Sequence, residues 1–301
     1  MTKKRNWILT TLMFGLMVVA GLAQAQETTV SKPGHWLGSD DQLLSFQSTE
    51  EIESFLRTAN PVSMEDTSIG VTKPKVVRLE QGGVQARGIF HNVNDTGQRR
   101  RLAGGVTVMY FRDTWGNQVA AYELAKLYGI NNVPPTVTRE INGEEGSMQL
   151  WIEGDLMTEG DRKASGKSSY KVKYFNQQVN MMDLFDNLVN NIDRNQGNIL
   201  WDTEWNMWLI DHTRAFGRDT KLSSVKDLKR VDRVAWDKMR TVSDDEVSAA
   251  MSPYMGKFEI KGLLARRDKI IAVVEKLIKK SGEEKILFDL DPTGGIKIST
   301  D

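Results

Sequence analysis

Apolar residues recur at helical spacing over residues 116–128, with Ala120, Ala121, Leu124, Leu127 and Tyr128 on one face. Gly129 supplies a C-cap, and Val133-Pro134-Pro135 stops the helix. A second strongly periodic stretch covers residues 257–280, its stripe made of Leu263, Leu264, Ile270, Ile271, Val274, Leu277 and Ile278. Ser48 and Glu51 form a capping box that opens a shorter helix through about Thr58, ended by Asn60-Pro61. Residues 221–251 read as short amphipathic helices. Strand-like runs at 76–79 and 84–90 flank Gly82-Gly83, and runs at 136–141 and 147–153 flank Asn142-Gly143, so each pair predicts a hairpin. The glycine pair has two readings, an ordinary turn or a turn laid over phosphates.

Between these elements the pattern breaks. Residues 26–47 are polar with scattered apolar positions, as in a loosely docked arm. Gln98-Arg99-Arg100-Arg101 is expected as a basic, solvated loop, and residues 154–170, rich in Gly, Ser, Lys and Asp, as an exposed linker. The boundary between two lobes is expected near Glu153 and Gly154, giving segments 26–153 and 154–301. The polar tail from Gly282 carries one apolar patch, Ile286-Leu287-Phe288, expected to pack back weakly.

At the N-terminus, Lys3-Lys4-Arg5 precedes an apolar run from Trp7 to Leu22 and the small-x-small triplet Ala23-Gln24-Ala25. That pattern is a secretory signal peptide over residues 1–25, and the apolar run is short for a membrane span. The expectation is a secreted or periplasmic protein without a stable membrane anchor after cleavage.

Candidate chemistry concentrates in residues 183–217. Leu184, Phe185, Leu188 and Val189 make one helix face, which gives way to Asn190-Asn191-Ile192-Asp193-Arg194-Asn195-Gln196-Gly197-Asn198, a cluster that neither helix nor strand tolerates throughout. Two short runs, 199–201 and 207–210, predict a hairpin that delivers Asp211 to its end. An acid in a loop, an amide five residues on and a second acid past a hairpin form the inventory that phosphoryl transfer from a nucleotide requires. The spacing from Asp193 to Asn198 equals that between Asp and Asn in the kinase catalytic loop. A polar loop followed by a plain hairpin accounts for the same residues, because Asn, Asp and Gly also make turns.

Composition narrows the alternatives. Acidic and basic residues balance at 40 each and no basic stripe stands out, so nucleic acid is not indicated as a partner. The chain has no cysteine, which excludes disulfides, zinc–thiolate sites and thiol catalysis, and its 3 histidines show no ligand spacing.

Asp193-Arg194-Asn195-Gln196-Gly197-Asn198 resembles the catalytic loop of atypical kinases, including the phosphoinositide lipid kinases. Ile210-Asp211-His212-Thr213-Arg214-Ala215-Phe216-Gly217 resembles the metal-binding segment of the secretory-pathway kinases related to the Golgi casein kinase and Four-jointed. Residues 117–124 followed by Val133-Pro134-Pro135 also resemble the small-lobe helix of those kinases and the segment after it. Together the resemblance covers roughly residues 70–220, in the right order. It implies an α+β, two-lobed protein-kinase-like fold, with a small antiparallel-sheet N-lobe carrying one helix and a mostly helical C-lobe. It implies Asp193 as catalytic base, Asn198 and Asp211 as ligands of a divalent metal (Mg or Mn), and ATP or another nucleotide as the bound cofactor. The acceptor would be a protein, sugar or lipid hydroxyl.

The chain departs from that pattern at two coupled positions. His91 stands where the family's phosphate-positioning lysine would be, and Gln118 where its helix glutamate would be. Both are expected at the nucleotide-binding site, facing each other across the small lobe. Arg87, on the same strand face as His91, could supply a cation there, while Glu123 lies on the wrong flank of its helix to replace Gln118. The two replacements keep a pseudokinase serving as a binding module, and a fold repurposed for nucleotidyl transfer, open beside the kinase.

Overall fold

In a computed structural model, residues 36–38, 43–67, 73–102 and 105–292 are described. The signal-peptide expectation and most of the arm lie outside them. Helix α1 (Thr49–Thr58) begins where Ser48 accepts a hydrogen bond from the Glu51 amide. The reciprocal bond goes from the Gln47 amide to the Glu51 carboxylate, one residue before the cap. Strands β1 (Asn60–Asp66), β2 (Lys75–Gln81) and β3 (Val84–His91) follow. Gly82 and Gly83 turn β2 into β3 with φ of 60° and 81°, the left-handed pair that a tight hairpin requires.

The predicted basic loop is a strand. β4 (Asn94–Arg101) and β5 (Thr107–Thr114) form a separate two-stranded antiparallel hairpin. Backbone pairing places alternate arginines of β4 on opposite faces, which a reading based on charge alone overlooks. Helix α2 (Trp115–Tyr128) follows directly, capped by Gly129 at φ 71°. Strands β6 (Thr136–Ile141) and β7 (Glu144–Leu150) then complete a five-stranded sheet of order β1-β2-β3-β7-β6.

The predicted linker contains structure as well. Strand β8 (Met157–Thr158) leads into α3 (Glu159–Ala164), which opens with a reciprocal capping box between Thr158 and Asp161. Helix α4 (Val172–Val189) carries the apolar run into the loop that holds Asp193 and Asn198. Strands β9 (Ile199–Trp201) and β10 (Met207–Leu209) are the expected hairpin, with β8 added on the far side of β9. After β11 (Val231–Asp232) come α5 (Arg233–Thr241), α6 (Asp244–Met251), α7 (Lys257–Ser281) and the short α8 (Glu283–Ile286). The apolar patch of the tail forms β12 (Leu287–Phe288), which pairs in parallel with β11 and is buried.

Two hydrophobic cores result among the described residues. The smaller lies under the five-stranded sheet and is closed by α1 through Ile52, Phe55 and Leu56. The larger gathers α4 to α7 and also takes in Leu124, Ala125 and Tyr128 of α2. Helix α2 therefore bridges the lobes. Its Tyr122 hydroxyl and Lys126 ammonium both bond Glu53 of α1, at 2.9 and 2.6 Å. Among the described residues no helix is long and apolar enough to cross a membrane.

Candidate active site

The site is assembled where α4 ends. Asn190 leaves the helix in the left-handed region, φ 52°, which asparagine tolerates better than most residues. The loop that follows closes on itself. Asn198 Nδ2 donates to the Asp193 carbonyl at 3.1 Å, and the Asn195 side chain accepts from the Gly197 amide at 2.9 Å. The β10 end is tied to the loop by the Ile210 amide bonding the Asn198 carbonyl at 3.2 Å.

Arg194 clamps these pieces together. Its guanidinium makes a two-pronged ion pair with Asp186 of α4, at 2.9 and 3.1 Å, and donates to the carbonyls of Asn198 and Ile210. The Nη2 that bonds Asp186 Oδ1 also lies 2.8 Å from His212 Nε2. Arginine has no acceptor, so Nε2 must be the unprotonated nitrogen. Burial and the neighbouring Arg194 charge hold His212 neutral by pushing its pKa well below the ordinary value.

Asp211 sits at φ 54°, a left-handed position rare for a residue with a side chain, and its Oδ1 accepts from Thr213 Oγ1 at 3.0 Å. Three residues on, Arg214 reaches Asp193 Oδ2 at 2.9 Å and Asp113 Oδ2 of β5 at 2.8 Å. Burial lowers the Arg214 pKa, and the hydrogen bond and charge of Asp113, with Asp193 and Asp211, reverse this to a net increase. Arg266 of α7 is fully buried and braces the segment from behind, donating to the carbonyls of Leu188, Gly217 and Asp219. Burial lowers it to about 10 despite Asp219 nearby.

On the small-lobe side, His91 closes β3 opposite Ser147 of β7. Gly146 is required beside it, because a Cβ there would lie 2.4 Å from the His91 carbonyl. Burial lowers the His91 pKa, and the charges of Asp211 and Asp113 oppose the shift without reversing it, so the ring is neutral. Gln118 accepts from the His212 backbone amide at 2.7 Å. His91 and Gln118 thus both reach the cleft, but no hydrogen bond joins them. Gln118 bonds the His212 amide, and His91 interacts electrostatically with Asp211 and Asp113. Arg87 forms an ion pair with Glu153 after β7 and lies over the Trp151 ring at 5.3 Å.

Sequence reasoning named Asp193, Asn198 and Asp211 but gave no role to Asp113, Arg194, His212, Arg214 or Arg266. Arg194 and Arg214 were visible inside the motifs, whereas Asp113 lies on a strand 80 residues before Asp193 and had no local signal.

The donor set suits a hard cation. Asn198 Oδ1 and Asp211 Oδ2 accept no protein hydrogen bond among the described residues, and the buried Asp113 Oδ1 has no partner. Oxygen donors of this kind fit Mg or Mn. Among the described residues no three His, Asp or Glu side chains converge to hold a metal by themselves. Magnesium commonly takes one or two carboxylates and completes its shell with phosphates and water. The residues therefore fit a metal that arrives with a nucleotide.

No protein-family model and no curated protein matches the sequence. Among solved structures, hydra Fam20 with sugar aligns with TM-score 0.61 at 14% identity, over 81% of this chain and 94% of that one. The Golgi casein kinase aligns with TM-score 0.59 at 11% identity, over 79% of this chain and 77% of that one. The same kinase with Mn/ADP bound gives 0.58 at 11% identity, covering 79% and 78%. At these identities it is the fold that is shared: this chain has the two-lobed fold of the Fam20 and Golgi casein kinases, the atypical kinases that its loop and metal-segment motifs resemble.

Proposed function

We propose that this chain is an exported kinase-like protein that binds a nucleotide together with Mg or Mn and transfers a phosphoryl group to a protein, sugar or lipid hydroxyl. One observation carries the metal dependence. Asp113, Asp193 and Asp211 face a single guanidinium, that of Arg214, leaving two negative charges in excess. The neutral His91 does not offset them, and Arg87 is held by Glu153. Nucleotide phosphates would be repelled from such a cleft unless a divalent cation came with them. The Golgi casein kinase, solved with Mn/ADP, offers a precedent for that pairing in the same fold.

Asn198 and Asp211 would hold the metal, whose chemistry is to neutralise charge that develops on the transferred phosphoryl oxygens. Asp193, its side chain 35% exposed, would orient and deprotonate the acceptor hydroxyl. Arg214 fixes the orientation of Asp193, while Arg194 and His212 hold the loop and the Asp211 segment in register. Export is supported by the basic, apolar and small-residue pattern of residues 1–25.

The pseudokinase reading is favoured by a specific observation, the absence of a fixed positive charge at His91. Differential thermal melting separates the outcomes. ADP and Mn together should stabilise the chain while either alone does little, and radiolabelled ATP should then report transfer. Stabilisation without turnover would make it a binding module, and a gain of nucleotidyl mass on the acceptor would make it a nucleotidyl transferase. No stabilisation by any nucleotide and metal would sink all three nucleotide readings.

A further inference from the structure

The arm ahead of α1 plays no part in the site chemistry, yet its described residues are fastened to the body of the protein. The Leu44 amide donates to the Trp36 carbonyl at 2.8 Å, and Leu37 pairs with Leu43 in antiparallel register, which holds the two pieces of the arm side by side. Leu44 and Phe46 pack against the small-lobe core, where the Phe46 ring lies 5.3 Å from that of Phe55 on α1. Trp36 packs against the same core, and its ring meets that of Trp208 at 5.0 Å, tilted by 48°.

Trp208 belongs to β10, three residues before Asp211, and is paired across the hairpin with Leu200, two residues past Asn198. It is 1% exposed and, among the described residues, stands outside both hydrophobic cores. An indole buries on the order of 200 Å², and the ring packed on this one comes from the arm. Leu37 reaches a second point. Gly154 lies in the crossing from β7 of the five-stranded sheet to β8 of the three-stranded one, with φ 92°, and a Cβ there would come within 3.3 Å of Leu37 Cδ1. Past Asp211 the same segment is tied by α2. Gln118 accepts from the His212 amide, and Asn117 Nδ2 donates to the Thr213 and Ala215 carbonyls at 2.7 and 2.9 Å. Asp211 is therefore flanked by two ties, the arm before it and α2 after it.

We propose that Trp36 and Leu37 form a strap that couples the small lobe to β10 and so sets where Asp211 stands relative to His91 and Gln118. Trp36 is a positioning residue that acts through Trp208. The effect on nucleotide rests on the phosphoryl-transfer reading, whereas the coupling of the lobes does not. His91 and Gln118 come from β3 and α2, while Asn198 and Asp211 come from the loop after α4 and the end of β10. A ligand held from both sides binds only when the two sides stand at the right separation. If loss of the strap left that arrangement populated about one tenth of the time, apparent affinity would fall ~10-fold.

The test compares Trp36→Ala and Trp36→Phe with the parent, each as the full chain. Isothermal titration of ADP with Mn, at a temperature where every variant is folded, should show binding ~10-fold weaker in Trp36→Ala. Trp36→Phe keeps a ring on Trp208 and should restore most of that loss. Amide exchange gives a second reading with no ligand added. The Leu209 and Ile210 amides, bonded to the Asn132 and Asn198 carbonyls at 2.7 and 3.2 Å, should exchange ~10-fold faster in Trp36→Ala, while α7 around Ile270 and Val274 keeps the parent rate. Faster exchange in α7 and β10 alike, with affinity unchanged, would make Trp36 plain core packing and overturn the proposal. Parent-like exchange at Leu209 and Ile210 would overturn it too. If Trp36→Ala does not fold, Leu37→Ala, which releases the contact at Gly154, is read in the same way. If the parent itself fails to bind ADP with Mn, the transfer reading falls and the exchange measurement alone decides the strap.

Discussion

Arg214 Nη1 lies 2.9 Å from Asp193 Oδ2, so the carboxylate proposed as base is held by a guanidinium anchored at its other end on Asp113. Asp113 is the more buried acid, its side chain 5% exposed. Arg214→Ala would leave that carboxylate unpaired in the interior. Urea unfolding should show a loss of about 2–4 kcal/mol, and the double change Arg214→Met with Asp113→Asn should lose less than Arg214→Ala alone. Equal losses would mean that the ion pair does not couple the two residues.

Asp211 and Asp193 should separate binding from turnover. Asp211→Ala is expected to abolish stabilisation by ADP with Mn, which at about 100 times the dissociation constant adds ~2.7 kcal/mol. Asp193→Ala should keep that stabilisation and lose turnover, because Asp193 acts on the acceptor. The same loss of binding in both would contradict the assignment.

His91→Lys is expected to be tolerated and to strengthen nucleotide binding. The new ammonium would face Asp211 and Asp113, which already oppose the lowering of the His91 pKa. Gln118→Glu keeps the oxygen that accepts from His212 and removes an amide nitrogen that has no partner. The pair together should improve ADP affinity by ~10-fold or more over the parent, as charge-assisted bonds replace neutral ones. Isothermal titration with Mn present measures it, and an unchanged affinity in the folded double variant would favour a repurposed site.

Asp183, on α4, offers a pH test of stability. Burial, then the charges of Asp227 and Asp186, raise its pKa to about 6, with Lys229 opposing. A raised carboxyl binds its proton more tightly in the folded state, so its ionisation opposes folding as pH rises through that range. Asp183→Asn should therefore match the parent near pH 3.5 and exceed it by about 1–3 kcal/mol above pH 7. Chemical denaturation at the two pH values checks this, and a constant difference would assign the effect to packing.

Local pattern was sufficient for much of the chain. Helical periodicity marked α2 and α7, the glycine and Asn-Gly turns marked both hairpins of the small sheet, and a capping serine marked α1. These signals lie within a few residues of the structure they specify, because caps, turns and amphipathic faces are short-range physics. Asp193, Asn198 and Asp211 were legible for the same reason, as a loop and a hairpin fix their spacing along the chain.

What only the tertiary structure decided concerns residues that meet from far apart. Nothing local in Asn94–Arg101 reveals a strand, since its partner supplies the pairing and its arginines look like loop charge. Asp113 becomes part of the cleft only because β5 crosses beside Arg214, and Arg266 becomes a brace only because α7 lies behind Leu188 and Gly217. Gln118 Oε1 is taken by the His212 amide, a partner 94 residues away that no local pattern announces. A buried backbone donor must be satisfied by whichever group the fold brings near, and the sequence carries no local mark of that choice.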